Sequence, residues 1–213
     1  MKQSGSGFTV VELTIATAVF AAVLLVGLSS FLGVGKVFYK GLTHSQTQAA
    51  AQQILDRISA DVQFGSIIGS VQATGTGSSQ YICLGNIRYT YNLYQVVDLN
   101  AHDIEQNQLG LLRDGLPSPY GCGSPFGSAK VAFNNPTELL GEKMRLSKMD
   151  ITAVKDSTGS DVKDLWSVSL TVAYGDDTSL QDSGSSEPAC NSNLANSQFC
   201  SVIKLNTSVT RGL

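Results

Sequence analysis

Residues 7–35 read GFTVVELTIATAVFAAVLLVGLSSFLGVG, and their reading decides the architecture of the chain. After Glu12 no charge occurs until Lys36, which leaves 23 uncharged and mostly apolar residues, Leu13 to Gly35. A helix needs about 20 such residues to cross the hydrocarbon core of a bilayer. A secretory signal places its small-residue cleavage site after its apolar run. Here the small residues Gly5, Ser6 and Gly7 precede the run, so trimming at that place leaves the apolar helix on the product. Lys2 lies on one side of the segment and Lys36 and Lys40 on the other, so cation bias alone does not orient it. The odd residue is Glu12. A carboxylate fully immersed at that depth costs on the order of 2–4 kcal/mol. It therefore either reaches water at the interface or meets a cationic partner.

Working outward, Lys36 to Phe64 keeps a helical period. Val37, Phe38, Ala50, Ile54, Leu55, Ile58 and Val62 mark the apolar face, with Gln48, Gln52, Asp56, Arg57 and Asp61 on the outer one. The expectation is one long, bent helix, the competing reading being a break near Gly41 to Ser45. His44 on such a face reads as structural. Gly65 to Ser79 is the loop that leaves the helix, and beyond it the period falls to two. Ile87, Tyr89, Tyr91 and Leu93 alternate with polar residues until Gln95 breaks the series. Leu109 to Arg113 is a short strand. Met144 to Val154 alternates with a slip between Leu146 and Met149 that predicts a bulge. Trp166 to Tyr174 is the cleanest alternation, and Ile203 to Val209 the last strand. Strands after a single helix, with no βαβ rhythm, predict an α+β fold with an antiparallel sheet against the helix.

The segment Gly7-Phe8-Thr9-Val10-Val11-Glu12-Leu13 and the apolar run behind it resemble the processing site of type IV pilins and pseudopilins. What the resemblance implies is a prepilin whose residues 1–7 are a leader, 8–35 a transmembrane and assembly helix, 36–64 its amphipathic second half and 65–213 a β-rich head. A prepilin peptidase would cut between Gly7 and Phe8, the new Phe8 amine would be N-methylated, and Glu12 would neutralise the amine of a neighbouring subunit. The implied partners are other pilin or pseudopilin subunits, the peptidase, the inner-membrane assembly platform and the lipid bilayer. The implied localisation is single-pass in the inner membrane with an extracytoplasmic head, then the pilus or cell surface. Many major pilins have a proline where this chain has Ser29. Gly27, Ser29, Ser30, Gly33 and Gly35 stand there instead, and either loosen the helix or let neighbouring helices approach. The stretches IRYTYNLY…LLRD, MDITAVKDSTG and LWSVSLTVAY are similar to PilW-type minor pilins and J-type minor pseudopilins. The expectation is thus a minor pilin for adhesion, motility or DNA uptake. Its rivals are a minor pseudopilin of a type II secretion system and a non-polymerising membrane-anchored adhesin.

Four cysteines, none in a CxxC pair, do not read as a zinc or thioredoxin-type site, and they allow three disulfide pairings. Many pilins bracket a C-terminal loop with a disulfide, so the resemblance favours Cys190 with Cys200 and leaves Cys83 with Cys122. A net charge of -3 argues against a head that is basic all over; a local basic patch for nucleic acid stays open without a motif to support it. Asp176, Asp177, Asp182 and Glu187 lie in one acidic loop without EF-hand spacing, which reads as solvated rather than as a calcium site. No HExxH and no GxSxG occurs, and the two histidines, His44 and His102, lie far apart. The expectation is no enzyme, no cofactor and no metal.

Overall fold

The computed structural model of the protein describes residues 9–65, 68–73, 79–98, 109–116, 121–127, 130–176, 178–181, 188–191 and 199–212. The apolar run and its polar continuation form one helix, α1, Val10–Phe64, of 55 residues and about 80 Å. It passes through Gly41 to Ser45 without a break. Thr9 caps its start, and Gly65 ends it in extended backbone with its N–H on Asp61 O at 2.9 Å.

The chain is an α+β protein with two principal antiparallel sheets rather than the single sheet expected. The first is five-stranded, in the order β1 (Gln72–Ala73), β2 (Ser79–Leu84), β3 (Ile87–Asn92), β4 (Leu111–Gly115), β5 (Thr137–Glu138). In the second, β7 (Asp161–Tyr174) is flanked by β6 (Met144–Lys155) and β10 (Ser201–Thr210). A further pair joins β8 (Leu180–Gln181) to β9 (Ala189–Cys190). The break in alternation after Leu93 has a physical cause. Tyr94 takes a left-handed backbone, φ 65°, and the chain turns from the first sheet to the edge of the second. There Tyr94 N–H donates to Leu146 O at 2.8 Å and Val97 N–H to Met144 O at 2.9 Å. The slip between Leu146 and Met149 appears as a register shift between Leu146 and Lys148.

The second half of α1 lies on β10 and β7. Thr43, Thr47, Ala51, Ile54, Leu55, Ile58 and Val62, spaced by three and four, form its buried face. Ala51, Ile54, Leu55, Ile58 and Val62 of this face meet Leu146, Ile151, Val168, Leu170, Val172 and Ile203 from the second sheet and Ile82, Leu84, Tyr89 and Leu111 from the first in one core. Each Leu, Ile or Val among them contributes about 1.5–3 kcal/mol on full burial. Three expectations about this face are corrected. Val37 and Phe38 are exposed, because the head begins to cover the helix only at Thr43. Asp61 is not on the outer face. It is half-buried and ion-paired to Arg113 of β4.

Candidate functional site

From Val10 to Leu42 no side chain of α1 is buried. The same stretch carries Ile15, Phe20, Leu25, Val26 and Phe31, each exposed by more than half. In water so large a continuous apolar surface would drive aggregation, so it requires lipid or protein around it. It is the one helix among the described residues long and apolar enough to cross a membrane, and it fits a single-pass anchor. Ser29 and Ser30 turn their hydroxyls back onto Val26 O at 2.9 and 3.0 Å, so no polar group of theirs is left unpaired in an apolar setting. Added Cβ atoms at Gly27, Gly33 and Gly35 would meet nothing of this chain within 4 Å.

Glu12 stands at the third position of the helix, and this is what sequence reasoning missed. Thr9 N–H and Thr9 Oγ1 both donate to Glu12 Oε2 at 2.9 Å, while Glu12 N–H donates to Thr9 Oγ1 at 3.2 Å. This is a capping box, which supplies partners to helix N–H groups that otherwise have none. Its signal in the sequence is T-x-x-E, Thr9 to Glu12. Glu12 is therefore engaged within its own chain while still exposed at the end of the apolar helix. Gly7 and Phe8, the expected processing and methylation positions, lie outside the described residues.

Above the apolar half, the head is fastened by three devices, two polar and one covalent. Asp61 takes Arg113 in a two-point contact, Nε to Oδ2 at 2.8 Å and a terminal nitrogen to Oδ1 at 2.9 Å, and Tyr89 OH also donates to Oδ2. This ties α1 to β3 and β4. The hydrogen bond with Asp61 raises the Arg113 pKa; burial first, and Asp61 second, raises that of Tyr89. In the second device Arg88 and Asp114, both fully buried, pair through Nε at 3.0 Å and a terminal nitrogen at 2.7 Å. The Arg88 guanidinium also donates to Gly123 O and Val131 O at 2.8 and 2.9 Å and lies over the Phe133 ring, 5.1 Å from its centre. It thereby holds Gly123 and Val131, from the irregular stretches 121–127 and 130–133, against β3.

The third device is covalent. The sulfur atoms of Cys83 and Cys122 stand 2.02 Å apart, and those of Cys190 and Cys200 2.15 Å, so the four cysteines form two disulfides in the pairs named above. Cys83–Cys122 spans 39 residues and Cys190–Cys200 spans 10, worth about 4 and 3 kcal/mol by loop entropy.

His44 Nδ1 lies 3.4 Å from Ser201 Oγ at the base of the head, a contact between α1 and β10. His102, Asp177, Asp182 and Glu187 lie outside the described residues, and Asp176 pairs loosely with Lys143 at 3.7 Å. What the arrangement can do is insert an apolar helix and present a braced head beyond it. Comparison of the chain with protein-family models, with curated proteins and with solved structures returns no match.

Proposed function

We propose that the chain is a minor subunit of a type IV pilus. In this reading prepilin peptidase trims it between Gly7 and Phe8, Phe8 is N-methylated, and the inner-membrane assembly platform passes it from the bilayer into the filament, which it joins or primes. The head is extracytoplasmic, on a pilin fold of long helix and antiparallel sheets, and serves adhesion, motility or DNA uptake. The observation that carries the reading is the contrast along α1. Its first 33 residues, Val10 to Leu42, bury nothing, while the next two turns begin a packed core. Capping of the helix start uses the Glu12 side-chain oxygen but does not need its charge, since glutamine serves the same position. At the end of an apolar helix that charge becomes favourable against a neighbour's N-terminal ammonium.

The test is Glu12→Ala in cells. The account expects normal membrane insertion and at least about a tenfold loss of the subunit from sheared filaments, since a stranded charge costs several kcal/mol. Full incorporation of the variant would contradict it and favour an anchored module that never polymerises.

A further inference from the structure

The base of the head carries a cavity of about 270 Å³ lined by Lys143, Tyr174, Gly175, Asp176, Ser179 and Phe199. Its place relative to the apolar helix is fixed by one aromatic contact. The Phe199 ring lies 5.9 Å from that of Tyr39, and Tyr39 is four residues, or about 6 Å, beyond Gly35, where the uncharged run ends. The headgroup layer of a bilayer adds about 5–7 Å to each side of the hydrocarbon core. A helix that spans the membrane with residues 10–35 therefore sets Tyr39 and Phe199 at headgroup level, with the cavity opening beside them. Lys36, Phe38, Tyr39 and Lys40 are all exposed there, the aromatic and cationic composition of an interfacial belt.

The lining matches that location. Lys143 Nζ and Asp176 Oδ1 stand 3.7 Å apart, both well exposed, a pair loose enough to open for a ligand. Lys143 holds a left-handed backbone, φ 61°, that a lysine rarely adopts. Its N–H donates to Val97 O and its carbonyl accepts from Gly175 N–H, so the strained position is held from both sides. Gly175, φ 138°, lines the cavity where an added Cβ would come within 2.6 Å of Ser179 Oγ. A cation and an anion side by side, with Tyr174 and Phe199 at the rim, suit a ligand that carries both charges close together.

We propose that this cavity seats the headgroup of a zwitterionic phospholipid with a primary amine, phosphatidylethanolamine, from the leaflet that faces the head. The phosphate meets the Lys143 ammonium, the lipid ammonium meets the Asp176 carboxylate, and the aromatic rim covers the glycerol end. The seat fixes the orientation of the head on the bilayer before assembly and is vacated when the helix leaves it. The inference rests on the membrane-spanning reading of α1.

The test uses the full chain in vesicles of equal phosphatidylethanolamine and phosphatidylcholine, released gently into the gas phase for native mass spectrometry. The expected result is enrichment of retained phosphatidylethanolamine by about fivefold, abolished by Lys143→Glu and by Asp176→Lys. Both positions belong to the head and neither to the apolar helix, so lipid held by the helix alone would not respond to either. A wild-type ratio near one, or enrichment that both variants keep, overturns the proposal. Binding of soluble phosphoethanolamine in micelles as tight as that of the lipid overturns the membrane source. A chain that washes from vesicles with carbonate overturns the spanning reading itself, whereas a retained chain with no lipid preference overturns this inference alone.

Discussion

Glu12 Oε2 accepts both the N–H and the hydroxyl of Thr9 at 2.9 Å, so the carboxylate at the mouth of the apolar helix also caps that helix. Glutamine serves the same position in a capping box but carries no charge. Glu12→Gln should therefore keep the helix start and still fail in assembly, while Glu12→Ala loses both. Circular dichroism in micelles should place Gln near wild type and Ala about 0.5–1 kcal/mol lower in local helix stability. Filament incorporation should fall for both. Rescue of assembly by Gln would reduce Glu12 to a capping residue.

Arg88 and Asp114 are a buried pair whose removal from one side strands the other. Arg88→Met should destabilise the head by about 3–5 kcal/mol. Adding Asp114→Leu should recover much of that loss. The single variant also frees Gly123 O and Val131 O, so the segment beside Cys122 loosens and the Cys83–Cys122 disulfide is reduced faster. Thermal melts and timed reduction followed by alkylation measure both effects.

Tyr89 and Tyr91 sit two residues apart on β3, both buried, and differ in one respect. Tyr89 OH donates to Asp61, whereas Tyr91 OH has no partner among the described residues. Tyr89→Phe should cost about 1.5–3 kcal/mol, because it removes a hydrogen bond to a charged group. Tyr91→Phe should be neutral or slightly stabilising.

Both tyrosines also set an alkaline limit. Burial, followed by the Asp150 charge, pushes Tyr91 up to about 12, and Tyr89 is raised as well. The fold favours the neutral phenol, so this stability is fully present below the unfolded value near 10 and lost as pH rises from there towards 12. Tyrosinate absorbance should show these two rings resisting ionisation at pH 11 in the folded head and titrating normally once it is unfolded. Asp156 gives the opposite edge. Its carboxylate accepts from Thr158 Oγ1, Thr158 N–H and Ser160 N–H in the β6–β7 turn, which holds its pKa below the usual range. Its small contribution is present above about pH 4 and fades as pH falls through the lowered value.

Gly27 and Gly33 have open space where a Cβ would stand, so nothing in the single chain calls for glycine. Alanine at either position should raise helix stability by about 0.5–1 kcal/mol in micelles. In the proposed filament the same variants should reduce incorporation, because the added methyl would stand between this helix and a neighbouring one. Unchanged assembly would return these glycines to a role in loosening the helix.

Much of this architecture was legible where the pattern is local. The uncharged run and the three-four spacing from Ala50 to Val62 delimit α1, and strict alternation exposes β7 and β10. The slip after Leu146 was visible because a single bulge displaces every later side chain. What stayed hidden depends on partners distant in sequence. Asp61 looks like any polar residue beside Ile58 and Val62 until Arg113, 52 residues on, is brought against it. β2, β5, β8 and β9 are short or carry mixed residues, so they form through pairing rather than pattern. The division into two sheets shows in no local pattern: at Tyr94, a residue whose type gives no warning of its left-handed backbone, the chain touches the edge of β6, then returns to the first sheet as β4 and β5 before β6 begins the second. At the candidate site the apolar helix and Glu12 are plain in the sequence, whereas the hydrogen bonds that Thr9 donates to the Glu12 carboxylate depend on where the helix starts.

The central claim, that the helix is released by trimming and then assembles, is tested most directly by the N-terminus of the protein recovered from cells. Intact-mass and terminal-peptide analysis should find a chain that starts at N-methylated Phe8. A chain that starts at Met1 in the membrane fraction would contradict the account and leave a permanently anchored head in its place.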